Sequence, residues 1–263
     1  MRIASPGHVA FAAVMIALGI QGMVTGELTA LWQPIPKGAP AHQALAYLCA
    51  LVSLATGIGL LWGRTAALAA RLLLAYFLLW ALLFRLPPVI HAPTAILPYY
   101  GCAEMAVMVA GAWVLYAWFA TSWERLLLGF AAGDRGVRKA RMLYGLCMIP
   151  FGLAHFIYIQ HTAELVPGWV PAHVAVGYLT GSFFLAAGAG ILLGVFTRLA
   201  AELAALQIGL FTLLVWVPIV VAGPKDPYDW IEFATSVALT AGGWVVADSY
   251  REVPWLTVRR FGT

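Results

Sequence analysis

Charge is what this sequence has least of. Only 10% of its 263 residues are Asp, Glu, Lys or Arg, against about 25% in soluble chains. An ordinary soluble domain is therefore excluded, and the net charge of +4 is too small, and too scattered, to imply a nucleic-acid partner. Cysteine is nearly absent. Cys49, Cys102 and Cys147 are isolated in apolar surroundings and form no C-x-x-C pair, which excludes thiol–disulfide relay chemistry. Flavin, nicotinamide, haem and iron–sulfur motifs are also missing. No pair of histidines within apolar runs offers bis-histidine ligation. No intrinsic cofactor is expected.

What is abundant is hydrocarbon: 63% of residues are hydrophobic. Apolar runs of roughly 18 or more residues, long enough to cross a bilayer core, recur at about 8–25, 44–62, 65–86, 98–119, 140–160, 174–195, 198–221 and 230–247. Arg2 ahead of the first run imitates a secretory signal, but the counterpart of that run lies mid-chain, so a retained helix is expected. Eleven basic residues (Arg2, Arg64, Arg125, Arg135, Arg138, Lys139, Arg141, Arg198, Arg251, Arg259 and Arg260) fall at the termini or in the even connections. Only Lys37, Arg85 and Lys225 fall in the odd ones, and Arg71 lies inside the third run. This asymmetry predicts both termini in the cytoplasm.

The chain also repeats itself. Thr25-Gly26-Glu27-Leu28 with Trp32 and Pro34 recurs as Thr162-Ala163-Glu164-Leu165 with Trp169 and Pro171. After a shortening in the second copy, His42, Tyr47, Gly57, Gly59, Gly63, Pro87 and Pro93 match His173, Tyr178, Gly188, Gly190, Gly194, Pro218 and Pro224. Tyr100 and Glu104 then match Tyr228 and Glu232. Polar, aromatic and proline matches at fixed offsets indicate tandem duplication. The expected fold is all-α, a polytopic membrane protein of eight transmembrane helices arranged as two parallel four-helix repeats about an axis along the membrane normal. The first repeat covers 1–120 and the second 140–248. A linker (121–139) and a tail (249–263, with Trp255 and Phe261) read as interfacial. Thr121-Ser122-Trp123-Glu124 fits a capping box, and Gly133-Asp134-Arg135-Gly136 reads as a turn. Gly59-x-x-x-Gly63, Gly190-x-x-x-Gly194 and Gly177-x-x-x-Gly181 predict close helix contacts. Pro87, Pro93, Pro218 and Pro224 are expected to bracket the outer ends of the third and seventh spans and stop their helices.

Ionisable residues in apolar runs are functional candidates. Arg71 and Glu202 occupy equivalent positions and are expected to pair across the two repeats, if the third and seventh helices flank the axis; local partners are the alternative. On the outer side both copies carry a glutamate, a histidine and a second glutamate: Glu27, His42, Glu104 and Glu164, His173, Glu232. Arg85 can pair with Glu104 or reach to the interface. The second copy adds His155, Tyr158, His161 and Trp230. Three readings remain open. A quinone-like ring can stack on the aromatics, bonded by His155 or Tyr158, with a carboxylate relaying protons. A metal can be held by His161, Glu164 and His173, although no strong ligand signature is present. An ordinary polar cluster can seal the loops.

The second copy, through Phe151-Gly152, Val166-Pro167-Gly168-Trp169 and Thr197-Arg198-Leu199-Ala200, resembles the DoxX/DoxD-like membrane protein family, of which the first copy looks like a faded version. The resemblance implies a four-span unit and association with quinone-linked redox chemistry in a bacterial-type inner membrane, with a redox protein partner. On this reading His155 orients the ring, Tyr158 and Trp230 stack or bond, and Glu164 or Glu232 relays protons. A small-solute or ion carrier is the alternative, although no broken mid-membrane helix is evident. A structural or assembly subunit is a third reading.

Overall fold

In the computed structural model the described residues, 4–28, 38, 40–224 and 226–258, form a helical bundle without a named strand. Trp32, Pro34 and the basic residues Arg2, Lys37, Lys225, Arg259 and Arg260 lie outside them, as does Phe261. Eight described helices are long and apolar enough to span a membrane: α1 Pro6–Thr25, α2 His42–Leu61, α3 Ala66–His91, α4 Ile96–Phe119, α5 Gly133–Ile157, α6 His173–Leu193, α7 Thr197–Val221 and α8 Tyr228–Asp248. The chain is thus an all-helical, multi-pass membrane protein.

Local chemistry sets the ends. Ser5 accepts a hydrogen bond from the His8 amide and Pro6 opens α1, a cap worth about 1 kcal/mol. Gly26 closes it in the left-handed region at φ 65°. The expected capping box is present: the Glu124 amide donates to the Thr121 hydroxyl, and the Thr121 amide donates to Glu124 Oε2 at 2.9 Å. It starts a short helix, Ser122–Leu127. The expected turn at Gly133 is instead the first residue of α5, about two turns before the expected start near 140. Gly133, with φ 56°, lets the chain swing from the short helix directly into the span.

Pro93 and Pro224 lie just beyond the last residues of α3 and α7, His91 and Val221, as expected, but the inner prolines act differently. Neither Pro87 nor Pro218 ends its helix. Each follows a single π-helical turn, Ala81–Arg85 in α3 and Thr212–Trp216 in α7. The wider turn shifts the hydrogen-bonding register just where a proline has no N–H to give, so the helix continues to His91 and Val221.

These paired π-turns fall at matching positions of the two copies. So do Ala41 and Ala172, which take left-handed φ values of 59° and 57° before α2 and α6. The packing obeys the same exchange. Within each half the first helix packs on the second, the second on the third and the third on the fourth. Between halves α4 packs on α5, α8 on α1, and the two fourth helices, α4 and α8, on each other. An axis of pseudo-two-fold symmetry therefore runs between α4 and α8. They approach closely there: a Cβ on Gly111 would lie 3.0 Å from the Gly242 carbonyl oxygen.

That placement overturns the expected Arg71–Glu202 bridge. The third helices flank the outside and not the axis, and each charge has a nearer partner. Arg71 Nε donates to Glu124 Oε1 at 2.8 Å, and Glu202 accepts from Arg198 one turn earlier, also at 2.8 Å. Burial alone would raise the Glu124 carboxyl. Hydrogen bonds from Thr121 and the Arg71 guanidinium outweigh it and hold the carboxyl below the ordinary range. In the second half Arg198 does the equivalent work, donating to the carbonyls of Arg251 and Val253 and covering the Trp255 ring at 4.2 Å. The start of α1 and the end of α8 meet at this same side of the bundle, where the Gly7 amide donates to Asp248 Oδ2 at 2.7 Å and Arg251 to the Ala4 carbonyl at 2.9 Å.

Candidate functional site

A cavity of about 940 Å³ lies in the second half, at the upper end of the range of about 300–1,000 Å³ typical of ligand pockets. Helices α5, α6, α7 and α8 form its walls, and α4 of the first half closes it with Leu97, Tyr100 and Glu104. It runs from Val166 and Pro167, at the end away from the termini, down the α6–α7 groove as far as Phe196 and Leu199. Phe183 and Leu206 line its edge and are exposed on the outside of the bundle. The groove thus opens sideways, toward the hydrocarbon of a surrounding bilayer.

The middle of the cavity is an aromatic wall. The His155 ring lies 5.8 Å from Phe211, nearly parallel at 19°, and 5.4 Å from Phe184. Phe151 bridges Phe184 to Tyr100, with ring centroids at 5.8 and 5.1 Å. Close packing of α5 on α6 sets this arrangement: a Cβ on Gly181 would lie 2.9 Å from His155 Cβ, so only glycine lets the two backbones come this near. Pro150 inside α5 leaves the Leu146 carbonyl without its helical donor.

The histidine's polarity follows from one bond. Nδ1 lies 2.8 Å from the Phe151 carbonyl oxygen, and a carbonyl can only accept, so Nδ1 carries the hydrogen. In the neutral ring Nε2 then presents a lone pair. Glu104 and Glu232 at the outer end add carboxylates. Further down, Gln207 donates one of its two amide N–H groups to the Thr180 carbonyl at 3.0 Å, which leaves a second donor and its carbonyl oxygen. Thr212 meets Ser236 and Thr240 hydroxyl to hydroxyl, at 2.7 and 3.1 Å.

Of the residues singled out in the sequence, His155, Tyr158, His161 and Glu232 line this cavity. Glu164, His173 and Trp230 do not. Glu164 is exposed on the short helix Ile159–Glu164, His173 opens α6, and Trp230 packs against Phe233 at 6.1 Å. Glu164 parts from His155 because α5 breaks at Tyr158 (φ −107°, ψ 40°), whereas His173 and Trp230 stand on other helices, in the first turns of α6 and α8. Among the described residues no group of three His, Cys, Asp or Glu side chains is placed to hold a metal, so His161, Glu164 and His173 do not assemble as a ligand set. Glu104, singled out as the first-copy counterpart of Glu232, lines the cavity too; the residues missed in the sequence are Tyr100, Phe184, Gln207 and Phe211. A column-by-column comparison of the copies holds the signal for one of them, since Phe211 stands where the first copy has Trp80, just as His155 stands where it has Leu18.

No protein-family model, no curated protein and no solved structure matches this chain.

Proposed function

We propose that the protein is a DoxX-like, quinone-linked component of a bacterial-type inner membrane, with both termini cytoplasmic and the cavity in its second half holding the ring. The observation that supports this most is the sideways-opening, aromatic-walled cavity with His155 at its centre. A ligand that arrives through lipid needs such an entrance, and a flat ring gains from stacking on Phe184, Phe211 and Tyr100, by about 0.5–1.5 kcal/mol per contact. The lining fits a ring bearing a hydroxyl, because Nε2 of His155 can accept its hydrogen. When bound, a quinone would supply two-electron, two-proton redox capacity, with electrons exchanged through a protein partner. The chain's own part is to orient the ring, exclude water and hold a proton at the outer end. The excess of Arg and Lys on the side of the termini supports the orientation.

Full-length protein purified in mild detergent is expected to carry a lipid-soluble quinone, detected by extraction and chromatography, and His155→Ala to lose it. Added decylhydroquinone is expected to bind at least tenfold more tightly than decylquinone, about 1.4 kcal/mol or one net hydrogen bond. Wild-type protein that carries no quinone and binds neither probe would overturn the proposal.

A further inference from the structure

Glu104 and Glu232 are equivalent residues of the two copies, and the axis brings them together. They sit on the two fourth helices, α4 and α8, which pack on each other. Both line the outer end of the cavity, and each lies within the electrostatic reach of Arg85. Glu104 also feels the charge of Glu232. It is 9% exposed and accepts no hydrogen bond from any described residue, although it borders an open space. A buried carboxylate in that condition calls for a proton or a ligand to complete it.

We infer that Glu104 and Glu232 form one proton-binding site shared by the two halves, which exchanges its proton with the medium at the far end past Tyr228 and His161.

Charge balance supports the single proton. The titratable groups facing the pair are Arg85 from α3, Tyr100 from α4, Tyr228 from α8 and His161 from the helix after α5. With the tyrosines and histidine neutral, one guanidinium faces two carboxylates. Two negative charges and one positive leave the site one proton short of neutrality, and the imbalance weighs most where water is scarce. Arg85 is held close: its Nη1 would lie 2.9 Å from a Cβ on Gly101, one turn before Glu104. The route is a gradient of exposure. Glu104 is buried, Glu232 half-buried, and Tyr228 and His161 are exposed. Tyr228 stands one turn before Glu232 on α8, and Tyr228, His161 and Glu232 line the same cavity. The site exists whatever occupies the cavity, so it does not depend on the quinone reading.

The test is infrared spectroscopy of the full-length protein in lipid nanodiscs, near neutral pH and with no ring added. The wild type should show one protonated-carboxyl stretch that shifts in heavy water. Glu104→Gln and Glu232→Gln should each abolish it, because one shared proton cannot survive the loss of either partner. The exposed carboxylate variant Glu164→Gln should leave it unchanged. Glu104→Asp should keep a displaced band, which separates loss of the acid from loss of the fold. His161→Ala and Tyr228→Phe should slow hydrogen–deuterium exchange of the band severalfold. Absence of the band from the wild type, or its persistence in either glutamine variant, would overturn the shared proton. Unchanged exchange in both route variants would overturn the path.

Discussion

The two halves have the same helices, the same π-turns and the same internal packing, but one is filled and the other is hollow. In the first half Trp80, Phe77, Leu73 and Leu18 are all buried, none more than 5% exposed. Trp80 packs against Phe84 at 4.7 Å and Tyr76 at 6.2 Å. The matching positions of the second half are Phe211, Ile208, Ala204 and His155. Each exchange removes bulk, save the last, which adds a polar ring. The fourth helices differ likewise: Val107, Met108 and Ala112 become Thr235, Ser236 and Thr240. A cavity was opened and its wall made polar without disturbing the frame. Fold and site are thus separable in this molecule, since the frame tolerates either filling.

The largest expected effect tests the filled half. Trp80→Ala should destabilise by about 3–5 kcal/mol, as large aromatic truncations in packed cores do, seen as a lowered thermal unfolding midpoint in detergent. Phe211→Ala, beside space that already exists, should cost clearly less. Equal losses would break the contrast. Next, rebuilding the second half in the image of the first, with His155→Leu and Phe211→Trp together, should fill the cavity. Co-purifying ring should fall at least tenfold, about 1.4 kcal/mol, while the unfolding midpoint is kept or raised.

Smaller again is the hydroxyl ladder on α7 and α8. Ser236→Ala should cost about 0.6 kcal/mol, the usual size of a side-chain hydrogen bond between membrane helices, whereas Met108→Leu in the first half should be close to neutral. The smallest effect concerns the charge clamps of the third helices. Glu124 has a carboxyl held below its ordinary value near 4.5, so the folded state binds fewer protons there than the unfolded one. Its contribution is complete above that ordinary value and fades as pH falls through the lower, folded value. Because Arg71 is about half exposed, the clamp is worth a few tenths of a kcal/mol. Glu124→Gln should flatten the acid limb of the stability profile.

Much of the frame was legible in the sequence because lipid imposes it. Run length counts the spans, and repeated Gly, Pro and His positions mark the copies. What was not legible was adjacency. Two like-facing halves can meet along any pair of helices, and nothing in one sequence says that α4 and α8 line the axis. Assigning that place to α3 and α7 joined Arg71 to Glu202. The same uncertainty hid the partnership of Glu104 with Glu232, whose equivalence was plain but whose meeting was not. Glu164 falls outside the cavity because α5 breaks at Tyr158, and His173 and Trp230, on α6 and α8, stand outside its lining because helix adjacency alone does not fix which side chains face inward. The aromatic wall went unseen since Phe184 and Phe211 look like any other membrane phenylalanine.

The exchange of contacts across the axis has an evolutionary meaning. A lone ancestral unit would have had its fourth helix and one flank of its first left bare, and both are satisfied by a second copy. The forebear thus worked as a homodimer, and gene fusion turned an encounter between molecules into a covalent certainty. Once joined, the twins no longer had to stay identical: one became ballast, and the other was free to specialise.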